Sequence, residues 1–532
     1  MPYGSPQSDS NSHPDAIFLN GNIYTLTSSR VEALAVREGN LIAAGSTRDI
    51  SKLASRETEC IDLGGQAVTP GLMDSHGHMT SLGRLLTGKI DLSSTKSFQD
   101  LLSAVRAQIE KRAEGEWIFG GRWDQTNWGD DLFPPHHQLS SLSPNHPVFL
   151  HRRDGHAVLV NQKAMDLAGI DLDSKSPQGG EILRDSNGEL TGIFVDNAMS
   201  LFDPVLPAPQ KIRMEILAAQ EHCLSLGLTG VHDAGIDPAE VDVYETLEKD
   251  RDLHLRIYGM LFMKPGCESI LRERTPKEGD RFSLRAIKIL LDGALGSRGA
   301  WLKADYSDSV GSHGFPLHDM STLGAWVHLA AEKGWQVCTH AIGDRAVGET
   351  LDAYEHVRGE RPRIEHAQMI GQDDLSRFSR LGVIASVQPV HATSDMRWVE
   401  ERLGRGRLRG AYAWRSLLRE GVALAGGSDF PVEPADPWKG IYAAVTRQDS
   451  HGMPVGGWIP EEKLTREEAL HAFTVGAAYA SFEEHRKGTL VPGKFADFVV
   501  WSADPMTCSD EALLEIRAER TVIGGKSVYQ RS

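Results

Sequence analysis

Short apolar runs that end in polar or glycine residues recur along the middle of the chain. The first lies within residues 67–80, and seven more follow at 226–235, 254–261, 284–296, 335–344, 363–368, 383–389 and 422–431. Helical patterns separate several of these runs, at 238–249, 323–333, 345–357 and 372–381. Buried strands that alternate with helices form parallel sheets. Eight such units predict an α/β fold, a closed (β/α)8 barrel of the TIM type.

Both ends of the chain show another pattern, in which short β-type runs alternate with turn dipeptides such as Asn-Gly and Pro-Gly. Such dipeptides between apolar runs are typical of hairpins. We therefore predict that residues 15–68 and 487–532 together build one composite β-sandwich domain. The barrel would then comprise residues 69–80 and 227–486.

The span 81–226 is too long for a loop between a strand and a helix, since structureless loops above about 15 residues are uncommon in compact domains. It predicts an inserted α+β subdomain, with a helix near 98–112. Trp117, Trp123 and Trp128 lie in its glycine-rich part. Buried core is the more frequent place for tryptophan. Because the insertion follows the first barrel strand, a lid whose tryptophans line the pocket is the alternative.

Composition narrows the class of protein. The 532 residues, 40% of them hydrophobic and 24% charged, are enough for several globular domains. A net charge of −17 opposes binding to nucleic acid or an anionic membrane, and we expect neither as a partner. Five widely spaced cysteines suggest neither disulfides nor a cysteine zinc site. With a polar, disordered tail at 1–14 and no apolar leader, we expect a cytoplasmic protein.

Residues with metal-ligand chemistry stand at the ends of the predicted strands. His76 and His78 are two positions apart, so in a strand both imidazoles lie on one face. A single strand-end histidine more often makes ordinary hydrogen bonds, and a strand-end Asp often caps a helix. A parallel barrel, however, brings all its strand ends to one pocket. The pattern therefore predicts a metal centre, whose other candidates are Lys288, His340, His366 and Asp429.

This order of residues resembles the metal-dependent amidohydrolase superfamily. The likeness extends to local text and to the subgroup called YtcJ-like amidohydrolases, which includes N-substituted formamide deformylases. The matching segments are GLMDSHGHM, RRDGHAVLVN, GEILRDSNGELTG, VHDAG, KILLDGALGSR, HAIGDRAV, RIEHAQ, SVQPVHATSD and GSDFPVEP. The resemblance as a whole covers nearly the entire chain, from Asp15 to Gln530.

The resemblance implies one or two metal ions, usually zinc, at the mouth of the barrel. His76, His78 and Asp429 would hold one ion and His340 with His366 the second. Lys288 would bridge them as a carbamate. A lysine inside an apolar strand is driven toward its neutral amine, which can react with carbon dioxide, although an uncarboxylated amine is the alternative. We further expect a homo-oligomer, most simply a dimer.

The predicted reaction is hydrolysis of a C–N bond, an amide or N-formyl bond, by a metal-bound hydroxide. Zinc lowers the pKa of its water to about 7 and polarises a carbonyl. Asp429 would take the proton and pass it to the leaving nitrogen. The alternatives are a deaminase of an aminated heterocycle and a scaffold without catalysis. The segment HAIGD lacks the HxxE pattern expected of many deaminases, and a scaffold has no need of all these ligands.

The predicted substrate is a small, neutral molecule with an apolar, aromatic substituent on nitrogen. Pockets for small molecules are largely apolar with few fixed polar groups. The alternative to a neutral substrate is one with a carboxylate, which could form paired hydrogen bonds with Arg152, Arg153 or Arg298. The candidates for substrate contact, each equally interpretable as structural, are Trp123, Asp154, His156, Arg298, Gln388 and His391.

Overall fold

A computed structural model describes residues 13–27, 30–129, 132–206, 212–357 and 359–532. The predicted tail, residues 1–14, falls outside these ranges except for its last two residues. None of the described helices is long and apolar enough to cross a membrane.

An eight-stranded, all-parallel sheet forms the centre of the molecule, and its strands follow one another in chain order. A parallel bridge between Gly77 and Phe430 joins the end of the first strand to the segment after the eighth, so the sheet is nearly closed. All eight predicted strands are confirmed. They span Leu72–Gly77, Leu228–Ile236, Arg256–Phe262, Phe282–Leu290, Gln336–Ala341, Arg363–His366, Ile384–Val387 and Leu424–Gly426.

Helices surround the barrel. Pro238–Asp250 starts with a capping box from Asp237 and Glu240 and with proline in its first turn, a strong signal for a helix start. Leu375–Leu381 ends at Gly382, whose φ of +68° only glycine adopts readily. The remaining helices of this part are Met79–Thr87, Ile212–Ser225, Glu268–Glu273, Met320–Glu332, Asp344–Ala353, Pro389–Asp395, Val399–Leu403, Trp414–Arg419, Pro437–Thr446, Arg466–His471 and Ala477–Ala480.

The two chain ends share a β-sandwich. Strand Phe498–Trp501 pairs antiparallel with Ala67–Pro70, so one sheet contains strands from both termini. The second sheet is built only from the N-terminal part, and its Phe18 ring lies 4.8 Å from that of Phe498 across the sandwich. The other strands are Ala16–Leu19, Asn22–Tyr24, Arg30–Val31, Ala33–Arg37, Asn40–Gly45, Glu59–Asp62, Ala518–Ile523 and Lys526–Gln530, with one helix at Thr47–Ser51.

The insertion after the first barrel strand has its own six-stranded mixed sheet and its own apolar core. Its strands are Ile90–Asp91, Ile118–Trp123, Val148–Arg152, Ala157–Val160, Gly180–Arg184 and Leu190–Asp196, and its helices Phe98–Ile109, His137–Leu142 and Gln162–Ala168. The predicted helix near 98–112 is therefore present. The predicted domain boundaries themselves stay predictions.

Candidate active site at the barrel mouth

A cavity of about 620 Å³ opens at the carboxyl ends of the barrel strands. Its wall is shared between the barrel, represented by His76, Lys288 and His340, and the inserted subdomain, represented by Phe149 and His156. A smaller cavity of about 60 Å³ adjoins it and shares His156 and His340 with it. The insertion thus covers the barrel mouth and supplies polar groups to the same space.

His76 lies at the end of the first strand, and a contact on its Nδ1 side fixes the orientation of its ring. Its Nδ1–H donates to Oε2 of Glu365 at 2.5 Å, and Glu365 is in turn held by the guanidinium of Arg363 at 2.8 Å. Burial alone would raise the pKa of Glu365, but the charges of Arg363 and His76 outweigh it and lower that pKa. A carboxylate that accepts from Nδ1–H makes Nε2 the nitrogen with the lone pair, the arrangement usual for metal-binding histidines.

Asp429 and His366 reach the site because the chain bends where their strands end. Both residues have a positive φ, 61° at Asp429 and 72° at His366, which few residues other than glycine adopt. One ligand atom each of His76, His366 and Asp429 lie within 4.8 Å of one another. Asp429 Oδ1 also accepts a hydrogen bond from Nε2 of His78 at 3.0 Å. These contacts lower the pKa of the Asp429 carboxyl against the opposing effect of its burial.

Lys288 points into the barrel from the fourth strand and is 2% exposed. Its Nζ donates to Nε2 of His76 at 3.1 Å. Burial lowers the pKa of this amine, although Glu365 and Asp429 act in the opposite direction. The amine therefore lies within the cluster of ligand-type residues, which are His76, His78, His340, His366 and Asp429.

His340 and His366 each have a buried ring nitrogen that could bind a metal. Their rings lie 4.4 Å apart between centroids, and both side chains are buried. Nε2 of His340 and Nδ1 of His366 have no hydrogen-bond partner among the described residues. Buried polar atoms without a partner are costly, and a cation bound to their lone pairs would remove that cost. The residues present therefore fit a divalent metal.

The inserted subdomain contributes a histidine–carboxylate pair. The Nδ1–H of His156 donates to Oδ1 of Asp196 at 2.6 Å, and the His156 ring lies 5.0 Å from that of His340. Burial lowers the pKa of His156, but the Asp196 carboxylate reverses the effect and raises it to about 9. The His156 ring thus lies next to the cluster of ligand-type residues.

The arginines near the cavity are already neutralised. Arg152 is bound by Asp124 at 2.9 Å and Asp154 at 2.5 Å. Arg153 is bound by Glu433. The two guanidinium groups therefore have no free charge for a carboxylate of the substrate, and Asp154 acts on Arg152 while it lines the cavity.

Three of the predicted substrate contacts lie away from both cavities. Trp123 is 0% exposed within the core of the insertion, where its Nε1–H donates to the carbonyl of Leu150. The structure places its side chain in that core and not on the cavity wall, which agrees with the alternative that these tryptophans are core residues. Arg298 is paired with Asp308, and Gln388 donates to the carbonyl of Ser386.

The other predicted contacts line the cavities. Asp154 and His156 line both, and His391 lines the smaller one. Nε2 of His391 lies 3.6 Å from Oδ2 of Asp429.

Sequence reasoning missed several residues that support the site. Glu365 precedes His366 in the chain, and consecutive strand residues normally point to opposite faces, so only the bend at His366 brings both inward. Asp196 is separated from His156 by forty residues and has no motif of its own. Asp292 accepts backbone N–H groups from Ile342 and Gly343 and thereby fixes the segment after His340. The acidic residue in DGALG was the one available signal for it.

Comparison with known proteins gives consistent matches. The family model described as "Amidohydrolase family" matches residues 59–529. "Putative amidohydrolase YtcJ" of Bacillus subtilis (strain 168) is 34% identical over 97% of this chain and 100% of its own length. N-substituted formamide deformylase of Arthrobacter pascens is 27% identical over 97% of this chain and 99% of its own length.

Among solved structures, an uncharacterized metal-dependent hydrolase from Pyrococcus furiosus superposes with a TM-score of 0.74. It is 30% identical, and the match covers 92% of this chain and 100% of that one. The resemblance predicted from the sequence motifs is confirmed.

Proposed function

The chain belongs to the amidohydrolase family, and from that membership we propose that it hydrolyses the amide or N-formyl bond of a small molecule with an apolar portion. The family assignment makes it a metal-dependent hydrolase of C–N bonds. The observation that carries the finer proposal is the convergence of His76, His366 and Asp429, with Lys288 and His340 beside them, at the floor of one cavity.

The residues that would hold one or two metal ions are His76, His78, His340, His366 and Asp429, with Lys288, as a carbamate, as a further ligand. A divalent metal there, which we propose is zinc, supplies Lewis acidity that lowers the pKa of water and polarises a carbonyl. Support comes from the orphaned nitrogens of His340 and His366 and from the Glu365 contact that orients His76.

Residues of the chain would carry out proton transfer and substrate binding. Asp429 is a carboxylate of the cluster that lines the cavity, so it would accept a proton at Oδ1 or Oδ2 and return it to the leaving nitrogen. His156, held by Asp196, would hydrogen-bond to the substrate from the insertion side. Apolar side chains of the wall, Phe149, Phe262 and Leu290 among them, would hold the substrate's apolar portion and exclude water.

The test compares kcat/KM of metal-loaded protein for N-aryl formamides and amides, N-acyl amino acids and aminated heterocycles. We expect the formamides and amides to lead. A lead of about tenfold or more for the heterocycles, equivalent to about 1.4 kcal/mol in transition-state binding, would overturn the amide proposal in favour of deamination. Metal content measured on the same samples separates an empty site from a wrong substrate.

A further inference from the structure

One positive charge on the wall of the large cavity has no negative partner. Lys89 lines the cavity, and no ion pair or side-chain hydrogen bond joins its ammonium group to any residue of the described ranges. The other cations of the wall are occupied: Arg122 lies 3.3 Å from Asp91, and Arg152 and Arg153 are paired with carboxylates. Lys288 belongs to the cluster of ligand-type residues.

The surroundings of Lys89 leave its charge uncompensated. Burial lowers its pKa to about 8, and the nearby guanidinium of Arg84 acts in the same direction. Glu215, the one carboxylate that opposes this shift, is itself bound by Arg84 at 3.1 Å. The neighbouring His151 is in the same positive electrostatic environment. Burial and the charges of Lys89 and Arg84 lower its pKa to about 3. A partly buried cation of this kind favours an anionic ligand.

The helix Met79–Thr87 separates Lys89 from His78 along the wall of the cavity. The helix Met79–Thr87 starts directly after His78 and spans nine residues, roughly 14 Å. Ser81 and Leu85, four residues apart on one face, line the cavity along its length, and Lys89 lies on the same side just beyond its end. A ligand that contacts both His78 and Lys89 must therefore be elongated, with apolar contact to Leu85 between them.

The insertion leaves room beside this lysine. Strand Ile118–Trp123 runs next to Ile90–Asp91, with Gly120 opposite Ile90, so it lies beside the residue that follows Lys89. Gly120 and Gly121 both line the cavity. A side chain at Gly121 would meet nothing closer than the Cβ of His151 at 3.8 Å. The wall at Gly121 therefore has room for a small group of a ligand, whereas Gly120 packs against Leu150.

We propose that Lys89 is an anion-binding subsite for a carboxylate at the end of the substrate remote from the scissile bond. This inference rests on the proposed function and deepens it: the substrate is an amide or formamide with an apolar body and one distant negative charge. The sequence predicted a substrate that is neutral overall. This inference keeps the substrate neutral only near the scissile bond. The match is chemical, since an ammonium and a carboxylate in a partly desolvated pocket attract strongly.

Equilibrium binding tests the subsite without any turnover. Metal-loaded protein is titrated with 4-phenylbutyrate and with 5-phenylpentan-2-one, a neutral ketone of the same shape that has no C–N bond to hydrolyse. We expect Lys89→Met to weaken binding of the acid by about tenfold or more and to change binding of the ketone by less than about twofold. Lys89→Arg should keep most of the affinity for the acid. Lys163→Met, at a lysine of the insertion outside the cavity, should leave both affinities unchanged.

Equal affinity of wild type and Lys89→Met for the acid overturns the inference, including the case in which the metal binds the carboxylate instead. A thermal unfolding curve like that of wild type confirms that the variant is folded, and Lys89→Gln provides a second neutral replacement.

Separate outcomes identify which proposal has failed. Binding that depends on Lys89 without hydrolysis of any amide would overturn the proposed function alone. Hydrolysis of amides with an unchanged acid preference in Lys89→Met would overturn the subsite alone.

Discussion

In the proposed function Asp429 has two roles, metal ligand and proton acceptor. It lies within reach of His76, His78 and His391, at 3.7, 3.0 and 3.6 Å, and its backbone conformation directs it into the cavity. Loss of a catalytic acid or base alone typically costs about 10² to 10⁴ in rate. We predict that Asp429→Asn lowers kcat at least about a thousandfold, because both the anionic ligand and the proton acceptor are lost.

Steady-state kinetics of the purified variant, with its metal content measured in parallel, check this prediction. Asp203→Asn is the matched control, since Asp203 lines the same cavity but does not contact the histidine cluster. Turnover of Asp429→Asn within tenfold of wild type would remove Asp429 from the mechanism.

Asp196 acts through His156, so its removal should change the use of the substrate while the protein remains folded. Its carboxylate accepts from Nδ1 of His156 and is held in a strained backbone conformation with φ of 50°. Strain of this kind persists where the surroundings enforce it, often at functional sites. We predict that Asp196→Asn and His156→Gln each lower kcat/KM by about 10².

The pair is distinguished from a purely structural contact by a double-mutant cycle on kcat/KM. If His156 and Asp196 act as a unit, the double variant should be little worse than either single one. Independent, additive losses, or losses that follow a fall in thermal stability, would contradict the functional role.

At the scale of elements, the loop after the fourth barrel strand is shaped to receive the insertion. A Cβ on Gly293 would lie 2.5 Å from Oδ2 of Asp196, and one on Gly299 would lie 2.6 Å from it. Overpacking of this kind costs about 1 to 3 kcal/mol. We predict that Gly293→Ala and Gly299→Ala displace Asp196 and lower kcat/KM at least tenfold, with a lower unfolding temperature.

Gly324→Ala provides the control for these two changes. Gly324 lies within helix Met320–Glu332, and nothing lies within 4 Å of a Cβ built there. Alanine is the better helix former by about 1 kcal/mol, so this variant should be as stable as wild type or slightly more stable. Normal activity of Gly293→Ala would show that the close approach to Asp196 has no functional consequence.

The barrel strands could be predicted because each is buried on both faces and therefore appears as a continuous apolar run. Lys288 stood out in its run because a charged residue there breaks the apolar pattern. The sheet of the insertion could not be derived in the same way, because pairings such as Ile90 with Gly120 join segments thirty residues apart. Contacts of this kind depend on tertiary structure, and no local pattern specifies them.

The same limit applies to the candidate site. The proposed metal ligands lie at or near the ends of strands, so the barrel topology gathers them. The groups that orient them come from elsewhere: Glu365 bonds to His76 across the barrel, and Asp196 reaches His156 across the insertion. Tryptophans are ambiguous in a sequence, because a residue suited to stacking on a ligand equally suits a core. Trp123 packs against Trp128, with 6.2 Å between ring centroids.

At the scale of the whole molecule, the insertion and the β-sandwich contact different parts of the barrel and have different roles. The insertion closes the mouth and supplies His156 and Lys89 to the cavity. The sandwich contacts the barrel elsewhere: Trp501 packs on Trp438 at 4.9 Å, and Gly227 has no room for a side chain against the Trp501 ring. Variants in the sandwich should therefore change stability without changing substrate preference.

A buried ion pair joins the third barrel strand to the sandwich. Arg256 donates through Nε and Nη2 to both oxygens of Asp497, at 2.5 and 2.9 Å, and Asp497 also accepts from the backbone of Gly524. Removing one partner of such a pair leaves a buried charge uncompensated and costs about 3 to 5 kcal/mol. We predict that Arg256→Met lowers the unfolding temperature markedly, while Asp242→Asn, in an exposed pair with Arg274, changes stability by less than about 0.5 kcal/mol.

The pH dependence of the Asp497 contact has a defined sign. Burial raises the pKa of Asp497, but Arg256 outweighs this effect and holds the pKa below its usual range. The contact therefore stabilises the fold fully above the unfolded pKa of about 3.9, and its contribution is lost as the pH falls toward the lower folded pKa. Thermal unfolding at pH 7 and at about pH 3 measures it. The deficit of Asp497→Asn relative to wild type should be large at pH 7 and smaller at pH 3, and a deficit that grows as the pH falls would refute the assignment of charge to this pair.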